Sequence, residues 1–117
     1  MPLGSLESEV MAALWDAGDP LTVRDVQDIL NRGRTPQLAY TTVLTVLQRL
    51  AAKGALARSA HGRGHAYAPA VADEAGLAVA DVLRTYGDAA IARFVEAADA
   101  DPDLRERLRK LASEAPP

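Results

Sequence analysis

Apolar residues recur at helical spacing along most of the chain, and the breaks in that rhythm divide it into elements. Leu6, Val10, Ala13 and Leu14 keep one face of a first helix toward a core near residues 5–17, with Met11 and Trp15 flanking it. Ser5 is the expected N-cap, Glu7 and Glu9 stand in the first turn where the helix dipole favours acids, and Gly18 ends the helix. Asp19-Pro20-Leu21 reads as a short connector in which Leu21 can pair as a brief strand. Thr22 and Asp25 have capping-box spacing, and Val23, Val26, Ile29 and Leu30 mark the buried side of a second helix over 22–31. After the polar break at 31–36, Val43, Val46, Leu47 and Leu50 form the apolar stripe of a third helix, with Gly54 as its C′ stop.

Beyond Gly54 the period changes. Residues 55–59 and 65–69 alternate in part, and Ala60-His61-Gly62-Arg63-Gly64 between them is a glycine-flanked tip. This predicts a hairpin wing with Arg63 at its tip and Arg58 nearby. Helical spacing then returns. One helix is expected over 73–86 with Ala75, Val79, Val82 and Tyr86 on one side, and Gly87 interrupts it. Asp88 is the expected cap of a helix whose Ile91, Phe94, Val95 and Ala98 form the apolar face. Asp101-Pro102 reads as N-cap and N1 of a last helix that buries Leu104, Leu108 and Leu111, and Ala115-Pro116-Pro117 is expected to fray.

The expected fold is therefore mainly α. A winged helix-turn-helix of three helices and a β-hairpin wing spans 1–70, and a three-helix unit spans 71–117. Three short helices with narrow apolar faces bury little as a lone unit, so the tail is expected to form a symmetric homodimer. Val79, Val82, Leu83, Tyr86, Ile91, Phe94, Val95, Leu104, Leu108 and Leu111 are the dimerisation candidates.

The polar side of the third helix gives the first pointer to function. Thr41, Thr42, Thr45, Gln48, Arg49 and Lys53 supply hydroxyls, an amide and two cations, with no carboxylate. Such a face suits a major groove, where Thr methyls meet thymine methyls and Gln and Arg bond base edges. The plainer reading is an amphipathic helix with a solvated polar side.

Charge changes the picture more than composition does. The net charge is −3, which by itself argues against a nucleic-acid binder. Yet no Asp or Glu lies between Asp28 and Asp73, where Arg32, Arg34, Arg49, Lys53, Arg58 and Arg63 stand with His61 and His65. From Asp73 onward ten acids face six bases. A basic middle and an acidic tail make a charge dipole, and attraction to phosphate follows local charge. The DNA-contact candidates are Thr22, Arg24, Tyr40, Thr41, Thr42, Thr45, Gln48, Arg49, Lys53, Arg58, Arg63 and His65. Tyr40 can bond a phosphate through its hydroxyl or pack at the start of its helix.

The 117 residues suffice for one medium domain or two small units sharing a core, and their Ala and Leu content favours helices over a β-sandwich. The absence of cysteine excludes a disulfide framework and a thiolate metal site and fits a reducing cytosol. Neither a membrane span nor a secretory signal is recognisable, so a cytoplasmic protein without membrane insertion is expected. No cofactor or metal site is expected: His61 and His65 flank the tip without a third ligand and read better as a solvated pair near phosphate. Paired carboxylates in an apolar setting, a Gly-rich phosphate loop and a nucleophile constellation are all missing, so catalysis is not expected. A second class of function, a winged helix whose basic stretch meets an acidic protein partner without reading DNA, is disfavoured by the dimer tail and the cation-only face. A salt-sensitive gel shift on the native promoter separates the two.

Several words of the sequence resemble the penicillinase-repressor (BlaI/MecI-type) family of bacterial transcriptional repressors. They are Leu6-Glu7-Ser8-Glu9-Val10-Met11 with Leu14-Trp15, Thr22-Val23-Arg24-Asp25-Val26, and above all Leu38-Ala39-Tyr40-Thr41-Thr42-Val43 through Leu50 with Lys53-Gly54. Arg63, Tyr67 and Pro69 match the wing, and Tyr86-Gly87 with Phe94-Val95-Glu96 match the tail more loosely. The resemblance implies a winged-helix DNA-binding domain and a helical dimerisation domain, bound as a homodimer to an inverted-repeat operator of β-lactamase or related antibiotic-resistance genes. It also implies relief of repression by proteolysis between Arg93 and Phe94, triggered by a membrane sensor metalloprotease or carried out by a downstream protease. The chain departs from the best-known staphylococcal members in carrying Arg93 where they have asparagine, and its lack of cysteine excludes the copper-responsive branch.

Overall fold

The computed structural model describes residues 4–114; the expected fraying at 115–117 lies outside the described residues. Six helices and three short strands follow one another: α1 Ser5–Ala17, β1 Leu21–Thr22, α2 Val23–Asn31, α3 Tyr40–Ala52, β2 Leu56–His61, β3 Gly64–Pro69, α4 Glu74–Tyr86, α5 Asp88–Ala100 and α6 Pro102–Glu114. They form two compact units, one ending at Asp81 and the other beginning at Val82.

In the first unit each helix turns its apolar stripe inward. Val10, Met11 and Leu14 of α1, Val23 and Val26 of α2, and Val43, Val46, Leu47 and Leu50 of α3 meet Leu56 and Tyr67 of the sheet in one core. The sheet has strand order β1-β3-β2, all neighbours antiparallel. Leu21 and Thr22 pair with Tyr67 and Ala66, so the brief strand expected at Leu21 becomes the third strand behind the wing. The core reaches past the wing to Leu77 of α4, with Val71 packed against it. Trp15 fixes that connection: its indole Nε1–H donates to the Val71 carbonyl at 2.9 Å. The first compact unit runs on to Asp81, within α4; the sequence reading places the boundary of the winged helix at 70/71.

The helix ends show the chemistry their sequences ask for, with two corrections. At α2 the Asp25 N–H donates to Thr22 Oγ1 (3.1 Å) and the Thr22 N–H donates to Asp25 Oδ2 (3.0 Å), the expected capping box. Those bonds from the Thr22 backbone and hydroxyl hold the Asp25 carboxyl below its ordinary value of 3.8. A lowered folded value means that this contribution is present above the ordinary value and is lost as pH falls through the lowered one. Thr22→Ala should cost about 1 kcal/mol of stability at neutral pH, and the difference from wild type should shrink in acid below the carboxylate range. Urea melts at the two pH values check this; an equal loss at both would remove the carboxylate from the cap.

At α3, Gly54 with φ +81 is the C′ residue of a Schellman motif: its N–H donates to the Ala51 carbonyl (3.0 Å) and the Ala55 N–H donates to the Leu50 carbonyl (2.9 Å). The first correction is at α1, where Gly4 rather than Ser5 is the N-cap and Ser5 is already helical, the extended Gly4 offering its carbonyl to the Ser8 N–H. The second is at α5, where Gly87 (φ 56) takes the cap position and Asp88 is the first helical residue. A positive φ at that position favours glycine. Asp101 is confirmed as the cap of α6, its Oδ1 accepting from the N–H groups of Asp103 and Leu104 at 3.0 and 3.2 Å.

In the second unit Ala98 is the only buried hydrophobic residue among those described. Leu104 is half-buried, whereas Leu108 and Leu111, on the face of α6 expected to be buried, are 41% and 65% exposed in the single chain. Val82, Leu83, Tyr86, Ile91, Phe94 and Val95 are exposed too, as is Val79 in the first unit. Helices this short cannot roll enough side chains inward with only one another as partners.

Candidate nucleic-acid interface

The link between α2 and α3 is where the sequence said least. Asn31, the last residue of α2, accepts from the Leu38 N–H through Oδ1 (2.7 Å) and donates to the Leu38 carbonyl through Nδ2 (3.1 Å). Gln27 donates to the same carbonyl at 3.2 Å, and Gln37 donates to the carbonyls of Asn31 and Arg34, each at 2.8 Å. Side-chain amides thus replace the missing backbone ladder and hold the entry to α3. Sequence reasoning marked this stretch only as a polar break.

With the core stripe of α3 buried, Thr41, Thr42, Thr45, Gln48 and Arg49 stand exposed on its other side. The Thr45 hydroxyl donates to the Thr41 carbonyl at 2.9 Å, which leaves its methyl as the group offered outward. Shallow troughs flank this ridge. One, lined by Leu6 of α1 with Thr41, Thr42, Thr45, Val46 and Arg49, has a volume of about 350 Å³. Toward the sheet, Gln48, Ala51 and Ala52 share a hollow with Leu56 and Arg58 of β2. Farther along that side, Tyr40 and Leu44 share a cleft of about 410 Å³ with Thr22, Val23 and Arg24 and with His61, Gly64, His65 and Tyr67 of the wing.

The wing is tighter than its sequence implied. Ala60 and His61, expected in the tip, belong to the ladder opposite His65 and Gly64, so only Gly62 and Arg63 turn the chain. Gly62 has φ +57 while no non-glycine residue among those described has positive φ, the pattern of a II′ turn, whose hand matches the strand twist. Arg63 is therefore carried on a short, regular hairpin.

The acid-free stretch does not stay uniformly basic once folded. Lys53 Nζ pairs with Glu7 Oε2 at 3.1 Å, and Arg34 pairs with Glu9 and also donates to the Leu30 carbonyl. These two cations join α1 to the end of α3 and to the turn before it. Arg24, Arg49, Arg58 and Arg63 form no ion pair among the described residues and are exposed. Of the sequence-predicted contacts, Thr22 and Lys53 thus have structural partners, while Arg24, Tyr40, Thr41, Thr42, Thr45, Gln48, Arg49, Arg58 and His65 line the α3 ridge and its troughs and Arg63 stands at the wing tip. Leu6, expected only on the core face of α1, joins them unpredicted, and His61, expected with His65 as a solvated pair near phosphate, lines the cleft.

Three helices, a third strand behind the wing and a cation-bearing ridge on α3 define a winged helix-turn-helix of the DNA-binding kind. The chain belongs to the penicillinase repressor family, which it matches over residues 3–114. It is 45% identical over 119 residues to the transcriptional regulator BlaI of Mycobacterium tuberculosis, in strains CDC 1551 / Oshkosh and ATCC 25618 / H37Rv, covering 93% of this chain and 84% of that protein. The solved hsRosR-S1 and hsRosR-S4 complexes superpose with a TM-score of 0.52 each over 96% of this chain and 90% and 88% of theirs. At 19% and 16% identity that likeness is one of fold. Membership of the family places the chain among transcriptional regulators rather than enzymes. No described helix is long and apolar enough to cross a membrane.

Proposed function

We propose that the chain is a cytoplasmic transcriptional repressor that binds an inverted-repeat operator as a homodimer, with α3 in the major groove and the wing on the flanking backbone. The observation that carries it is the sorting of charge on the folded surface. Acids of α1 neutralise Lys53 and Arg34, while Arg24, Arg49 and Arg58 beside the α3 ridge and Arg63 at the wing tip form no ion pair among the described residues. Arg49, Gln48 and the threonine methyls are suited to base edges, and the wing and Arg24 to phosphates. The second unit, whose apolar residues Phe94, Val95, Leu108 and Leu111 stay exposed, supplies the surface for a second copy of the chain.

Relief of repression by cleavage between Arg93 and Phe94 is part of the same reading. The bond lies inside α5, and Arg93 Nη1 donates to both Glu96 carboxylate oxygens at 2.6 Å across it. A protease acting there needs that turn to open first, since helical backbone is already hydrogen-bonded to itself.

The test is a binding titration with DNA from upstream of the gene against a scrambled duplex, at several salt concentrations. The native DNA should bind more tightly, and affinity should fall with salt as phosphate-bound counterions are released. Arg63→Ala should lower affinity for both duplexes alike and make the slope of log affinity against log salt shallower by about 0.9 for each wing that meets a phosphate. An unchanged slope would take the wing out of the interface. No preference for the native duplex would favour the protein-interaction reading instead.

A further inference from the structure

We propose that the cleft between the first turn of α2, the start of α3 and the wing is a seat for a DNA backbone phosphate, formed by Arg24, Tyr40, His61 and His65 and strengthened when the two imidazoles are protonated. The proposal rests on the reading of the chain as a DNA-binding regulator and adds to it a defined phosphate site and a dependence on pH.

The cleft of about 410 Å³ is open and is lined from three elements by residues that carry donors: Arg24 from α2, Tyr40 from α3, and His61 and His65 from the two wing strands. Thr22, Val23, Leu44, Gly64 and Tyr67 complete its lining, which contains no carboxylate. An open hollow of this size admits a sugar–phosphate segment of a duplex strand rather than only a free ion. Gly64 presents no side chain at the wing end, opposite His61, so a strand can approach the backbone there.

The charges around the histidines come from every packed element. Arg24 lines the same cleft from α2, and Arg63 at the tip and Arg58 on β2 add positive charge; Tyr40 and Tyr67 are the other titratable residues of the lining. Asp25, whose carboxylate is committed to the cap of α2, is the acid that feels the charge of His61. An arriving phosphate adds a further negative charge facing both rings, and an opposite charge at close range favours the protonated form. Binding therefore takes up protons, and linkage requires that affinity rise as pH falls through the histidine range and weaken as pH rises through it.

The experiment uses the full chain and a mixed-sequence duplex at constant ionic strength, read by fluorescence anisotropy. Wild-type affinity should be higher at about pH 6 than at about pH 8, by up to about tenfold per pH unit for each proton taken up. The salt slope should be steeper at the lower pH, by about 0.9 for each imidazole that meets a phosphate. In the His61→Gln/His65→Gln double variant both differences should vanish; the two rings are exposed, so the fold should tolerate the exchange, which circular dichroism confirms. The affinity ratio between a native and a scrambled duplex should be the same at both pH values, because phosphate contacts carry no sequence information. A second arm adds inorganic phosphate alone and follows the histidine resonances by NMR. Saturable binding there, lost in the double variant, while DNA affinity stays independent of pH, would reassign the cleft to free phosphate and overturn the proposal. A pH dependence that survives in the double variant overturns the seat and leaves the regulator reading standing. Absence of duplex binding at every pH overturns both.

Discussion

A chain ended at Arg93 should sediment as a monomer, keep the circular dichroism of its winged helix, and lose operator affinity by a factor of about 10²–10⁴. The first unit has what it needs to survive the cut: its core from Val10 to Leu77 is complete before Asp81, and Trp15 ties the stretch after the wing to α1. The loss falls on Phe94, Val95, Leu104, Leu108 and Leu111, of which only Leu104 is even half-buried in the single chain. They contribute little to folding one copy and so are available to hold two. A single winged helix reads one half-site, and the second contact becomes intramolecular only while the two copies are joined. The affinity lost is therefore that of linkage, with no contact to DNA removed. Sedimentation and anisotropy on the same preparation give the answer. A truncated chain that remains dimeric and binds as before would show that the tail is not the switch.

Arg49→Ala should weaken binding to the operator by about 1–3 kcal/mol, a factor of roughly five to 150, with much less effect on scrambled DNA. Arg49 is exposed beside Thr42 and Thr45, forms no ion pair among the described residues, and has no carboxylate in the trough it lines. A guanidinium so placed can present two parallel donors to a guanine edge. Thr45 sharpens the test. Its hydroxyl already donates to the Thr41 carbonyl, so Thr45→Val, which keeps the methyl, should retain operator affinity, while Thr45→Ala, which removes it, should not. Equal losses on operator and scrambled duplex would make Arg49 a phosphate contact and move base reading elsewhere on the ridge.

How far the sequence reached differs from element to element. Val43, Val46, Leu47 and Leu50 fixed both the existence of α3 and which side faces out, because burial of an apolar stripe allows one rotation of the helix. Gly54, Asp101 and the Thr22–Asp25 pair placed helix ends because each satisfies backbone groups within a few residues of itself. Ser5 and Asp88 failed as caps because a glycine one residue earlier took the position. The wing was legible as a hairpin, but alanine-rich strands carry little pattern, so its two-residue turn and the partner of the brief strand expected at Leu21 came only with the pairing register.

What the sequence by itself determined was therefore local: helix faces, most of their ends, the acid-free stretch of charge, and the words shared with a repressor family. What only the tertiary structure decided was the fate of side chains with distant partners. Nothing near Lys53 in sequence announces Glu7, nor does Trp15 announce Val71, and Asn31 reaches Leu38 only across the turn. Periodicity records a preference for the inside or the outside of one element, whereas an ion pair or a cleft exists only once two elements are packed at a particular distance and angle. Hence the cations that hold α1 in place could not be told by sequence from those left free, and the meeting of Arg24, Tyr40, His61 and His65 in one cleft had no linear signature.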